Sequence, residues 1–91
     1  MSASSSLLPD VEASIQEVLS AKVDQMIALI PPDYSKQGDT VTTLRRMQVQ
    51  IKSAQTSSVF LRWGEIAFVF VTLPPLSEAP WVEEILRVYN V

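Results

Sequence analysis

The chain has 91 residues, 47% of them hydrophobic and 19% charged, with two glycines, no cysteine and no histidine. That length allows one domain with a thin core, and the composition excludes a disordered chain, a disulfide scaffold and a collagen-like repeat. Without Cys or His, zinc fingers, iron–sulfur clusters, haem ligation through those residues, thiol chemistry and Ser-His-Asp or Cys-His triads are excluded too.

The net charge is −3, and its distribution is uneven. Asp10, Glu12, Glu17, Asp24, Asp33 and Asp39 outnumber Lys22 and Lys36 in the first part of the chain. Arg45, Arg46, Lys52 and Arg62 then form a segment, 40–63, with no acid. Glu65, Glu78, Glu83 and Glu84 against Arg87 make the last part acidic again. An acidic chain is a poor general binder of nucleic acid, because phosphate affinity comes from clustered cations. The basic segment either lies beside the acidic helices of its own fold or faces an acidic partner.

Residues 1–9 are expected to be a flexible lead-in, with a single small domain over 10–91. The N-terminus has no basic region ahead of an apolar core, so no secretory signal is expected, and no lipidation pattern is present. The most apolar window, 59–73, is shorter than the roughly 20 residues a spanning helix needs, and it carries Arg62 and Glu65. A cytoplasmic location is the expectation.

From Asp10 to Ile30, Val11, Ile15, Val18, Leu19, Val23, Met26, Ile27 and Ile30 recur at helical intervals. Asp10 is placed to cap this helix, and Pro31-Pro32 stops it. The connection 31–39 is long and rich in turn formers. Tyr34 within it is either a contact residue or folds back onto the core. Residues 40–56 support two patterns. As a helix capped by Asp39, they align Leu44, Met47, Ile51 and Ala54. As a strand over 47–52, they place Met47, Val49 and Ile51 inward, with Arg46, Gln48, Gln50 and Lys52 outward. The unbroken alternation favours the strand.

Segments 58–63 and 65–73 are rich in Val, Phe, Ile and Trp and are predicted as two further strands hinged at Gly64. Pro74-Pro75 ends the run. A second helix is predicted from near Ser77, with Pro80 in its first turn and Trp81, Ile85, Val88 and Tyr89 on its apolar side. The predicted fold class is therefore α+β, a small antiparallel β-meander flanked by two amphipathic helices (α-β-β-β-α). The alternative is all-α with one long central helix over 40–73, opposed by Gly64 and the β-branched and aromatic run after it.

Chemical motifs are sparse. Two glycines 26 residues apart make no phosphate-binding loop. Adjacent Glu83 and Glu84 diverge on a helix by about 100° and read as a solvated face. Glu65 beside Trp63 lacks a catalytic partner and suits a surface pair with Arg62. No acidic calcium loop is present. No cofactor, metal, catalytic residue or small-molecule substrate is expected, and an enzyme is the third choice. The Tyr89-Asn90-Val91 terminus has the form of a groove-binding peptide but is common in unrelated chains.

The strongest functional signal is 65–73, where Ile66, Phe68 and Phe70 alternate with Ala67, Val69, Val71 and Leu73. Such a strand must be covered on both faces, and a helix over 59–73 would need burial on most sides. Either fold exposes more apolar surface than so short a chain hides, and such surfaces mark interaction sites. The expected function is a small, acidic, non-catalytic protein–protein interaction module: an adaptor, a chaperone-like protein or an assembly subunit. Its partner would be another protein or a second copy in a homodimer. Its contact surface would draw on Phe60, Trp63, Phe68, Val69, Phe70, Val71, Trp81, Ile85 and Tyr89. The alternative is a nucleic-acid-associated protein using Arg45, Arg46, Lys52 and Arg62, with Phe60, Trp63, Phe68 and Phe70 available for base stacking.

Overall fold

A computed structural model describes residues 14–90, and no strand occurs among them. The elements in chain order are α1 (Ile15–Ala28), α2 (Gln37–Ser53), a 3-10 turn (Thr56–Ser58), α3 (Val59–Glu65), α4 (Ala67–Phe70) and α5 (Trp81–Asn90). The expected β-meander is thereby overturned and the all-α alternative holds. Its single helix over 40–73 does not form, however. Asp10 as a cap, the lead-in over 1–9 and the terminal residue Val91 lie outside the described residues.

α1 opens at Ser14, whose backbone is extended and whose Oγ accepts the Glu17 amide at 3.1 Å. Glu17 Oε1 in turn accepts the Ser14 amide at 3.1 Å, completing a reciprocal capping box. The helix closes at Ala28, two residues before Pro31-Pro32 would have forced it to. Tyr34 folds back, its ring 5.1 Å from that of Trp81.

α2 begins at Gln37 rather than at an Asp39 cap, and Asp39 lies in its first turn, where a carboxylate favours the helix dipole. The helix buries Thr40, Leu44, Gln48 and Ile51, a stripe at intervals of four, four and three. Gln48 is inside and Val49 is 64% exposed, the reverse of the strand register. Gln48 tolerates burial because Nε2 donates to the Ser20 carbonyl and to Asp24 Oδ1, both at 2.9 Å. Arg45 Nη1 closes the cluster, donating to Gln48 Oε1 at 2.9 Å and to Asp24 Oδ1 at 2.6 Å.

The chain leaves α2 at Ala54, which is extended at ψ 147°. Ser53 Oγ donates back to the Val49 carbonyl at 3.0 Å, an alternative partner that weakens the last helical turn. Gln16 Nε2 donates to the freed Ala54 carbonyl at 3.0 Å and ties the bend to α1. From Val59 to Val71 the backbone stays right-handed helical, interrupted only at Ile66, where the bonding tightens to three-residue spacing. Val59, Ile66 and Val69 point from this segment into the core.

α1 packs chiefly against α2 and then against α5. Val23, Met26, Leu44, Ile51, Val59, Ile66 and Ile85 belong to one cluster, each at most 1% exposed. α5 starts at Trp81, just after Pro80, and buries Val82 and Ile85 while Glu83, Glu84 and Arg87 face water.

Candidate interaction surface

The surface is built by α3 and α4. At 100° per residue, the core-facing Val59, Ile66 and Val69 occupy one side of the 59–71 segment, and Phe60, Leu61, Gly64, Phe68 and Val71 fall within about 100° on the other. Accessibility follows that geometry: Phe60 is 63% exposed, Leu61 66%, Phe68 71% and Val71 82%. Gly64 and Ala67 between them are also exposed. Neither flanking charge lies on this arc. Arg62 Nη1 donates to Glu65 Oε1 at 3.2 Å along the side of the helix, the surface pair expected for Glu65. The result is a continuous uncharged apolar face bounded by one closed ion pair.

Phe68 also walls a cleft of about 410 Å³ between α4 and the N-terminal half of α2. Met47, Val69 and Phe68 supply its apolar side, and Lys36, Asp39, Thr43 and Thr72 its polar one. A second recess of about 370 Å³ lies between Lys22, Gln25, Arg87 and Val88. Lys22 Nζ there donates to the Val88 carbonyl at 3.3 Å.

The other residues singled out from the sequence for the contact surface are placed elsewhere. Val69 is 6% exposed and Ile85 1%, so both belong to the core. Trp81 packs on Tyr34. Tyr89 stacks on Trp63 at 4.7 Å and meets the edge of Phe70 at 5.1 Å, forming a half-buried aromatic cluster under the outward face. Burial pushes the Tyr89 phenol above its ordinary pKa. Leu61, not among the contact residues expected from the sequence, joins the face at 66% exposure.

The basic residues do not form one face. Arg46, Gln48, Gln50 and Lys52 shared a side only in the strand register, and the helix disperses them. Arg45 is bonded to Asp24 and Arg62 to Glu65, while Arg46 and Lys52 stand exposed on different sides of α2. The Gln48 and Arg45 hydrogen bonds hold the Asp24 carboxyl below its usual pKa. Glu83 and Glu84 do converge on one cation, because Arg87 reaches both from one turn later, at 3.1 and 2.8 Å. No group of three or more potential metal ligands occurs among the described residues, and none of their helices is long and apolar enough to cross a membrane. Compared with protein-family models, with curated proteins and with solved structures, the chain matches none.

Proposed function

We propose that this chain is a non-catalytic protein–protein interaction module whose contact surface is the outward face of α3 and α4. The observation that supports it is the exposure of Phe60, Leu61, Phe68 and Val71, between 63% and 82%, on one side of one helical segment. Together these side chains present on the order of 500 Å² of apolar area, given the 150–250 Å² of a whole aromatic side chain. The largest apolar patch on a typical monomer is about 300–600 Å² and is often functional. The aromatic content and lack of charge match the centre of an interface rather than its rim. Glu65 beside the face is paired with Arg62 at 3.2 Å.

The test is the molar mass of the assembly, by light scattering, for the chain purified alone and from its native cells. The expected result is an assembly heavier than 10.1 kDa, formed with copies or with a stoichiometric partner protein. It should be lost in the Phe60→Ser/Phe68→Ser double variant and kept in Val49→Ser, which alters an equally exposed residue on α2. A lone chain from both sources overturns the proposal.

A further inference from the structure

We infer that a second copy of this chain covers the outward face, the two α3–α4 segments crossing antiparallel at Gly64 about a two-fold axis. This rests on the interaction surface proposed above and names its occupant.

Gly64 has no reason to be glycine within a single copy. Its φ is not positive, and a Cβ built on it meets nothing within 4 Å. Glycine is also the weakest helix former apart from proline. What the missing side chain leaves is a gap in the middle of an apolar face, where another backbone can approach closely.

The residues around that gap are arranged symmetrically. Phe60 and Phe68 each lie four residues from Gly64, and Leu61 and Ala67 each lie three away. A two-fold interface requires that if one residue meets another, the reverse contact also forms. An antiparallel pair centred on Gly64 meets that requirement: Phe60 packs against the partner's Phe68, Leu61 against the partner's Ala67, and the two glycines meet on the axis.

Area and charge agree with this occupant. The face offers on the order of 500 Å² per copy, so two copies would bury about 1,000 Å², at the lower bound for a specific interface. The face itself carries no charge, so none has to be buried when two copies meet. A lipid surface fits less well, since helices that lie on membranes carry Lys and Arg on their polar face. Here the chain is net −3 and Arg62 is paired with Glu65.

The test uses the full chain. Its molar mass should rise with concentration towards twice 10.1 kDa, and Gly64→Gln should hold it at one chain without lowering the Tm read at low concentration, where association does not contribute. Because the chain has no cysteine, Gly64→Cys carries a unique thiol that sits on the two-fold axis. Under mild oxidation it should cross-link at least tenfold faster than Val49→Cys. A mass of one chain at every concentration overturns the inference, whether or not the chain then binds phosphatidylserine vesicles or a different protein. A dimer abolished by Phe60→Ser/Phe68→Ser but indifferent to Gly64→Gln overturns the axis at Gly64 and leaves the face as the contact surface. A dimer indifferent to both variants overturns the axis and the face together.

Discussion

Tyr89 is joined to Trp63 twice: the rings stack 4.7 Å apart at 15°, and the phenol donates to the Trp63 carbonyl at 3.0 Å. This pairing ties α5 to α3. Tyr89→Phe keeps the stack and removes one hydrogen bond, so it should cost about 1 kcal/mol. Tyr89→Ala should cost about 2–4 kcal/mol, below the full aromatic range because the ring is only half-buried. Both are measurable by urea unfolding. With the folded pKa raised above 10.0 by burial, this tyrosine favours folding below that pH. Its contribution is lost as pH rises through the folded value, and Tyr89→Phe should remove that alkaline loss.

Gln48 should be among the most sensitive polar positions. Gln48→Ala leaves a void and strips partners from the Ser20 carbonyl, Asp24 and Arg45 together. A loss of about 2–3 kcal/mol is expected for a buried, fully bonded amide. The same cluster predicts acid sensitivity. Asp24 has a folded pKa below 3.8, so its contribution is complete above that pH and disappears as pH falls through the lowered folded value. A melting series from pH 5 to pH 2 should show a smaller decline for Asp24→Asn than for the parent.

Val49 and Ile51 distinguish helix from strand directly. On a strand they share a face, but on α2 Val49 is 64% exposed and Ile51 is fully buried. Ile51→Ala should cost about 2–5 kcal/mol. Val49→Ala should change stability by less than about 0.5 kcal/mol. Equal effects in chemical denaturation would be incompatible with this helix.

Gly64→Ala should stabilise a single copy. The position is helical, open and free of positive φ, so it should gain up to about 1 kcal/mol from helix propensity. For a domain of this size that corresponds to a rise in Tm of about 4–8 °C. The rise should be read at low concentration, where association does not contribute.

Much of the helical frame is legible in the residues. Most of the α1 stripe, the stop near Pro31-Pro32 and the apolar side of α5 follow from period 3.6 and from proline, although Val18 of that stripe is 43% exposed. The Ser14–Glu17 capping box has a readable signature, S-x-x-E, but Asp10 competes for the same role four residues earlier. The stripe Leu44, Met47, Ile51 and Ala54 is a helical signal that ranks below the strand on the sequence alone. The local alternation over 47–52 masked it, because a polar Gln48 looks solvent-facing until its partners on α1 are known.

Composition, charge and the excess of apolar residues over 59–73 were determined by the sequence alone, and with them the expectation of a contact surface and the absence of thiol or imidazole chemistry. Tertiary structure decided the secondary structure of the middle of the chain. β-branched and aromatic residues prefer strands only where a neighbouring strand and a half-buried sheet surface exist to receive them. Here α1 offers Ser20 and Asp24 to Gln48, and Gln16 to the Ala54 carbonyl, so the chain remains helical and bends where its helix ends. That bend decides which apolar side of 59–71 reaches the core. Val59, Ile66 and Val69 turn inward, and among the described residues Phe60, Leu61, Phe68 and Val71 are left outside.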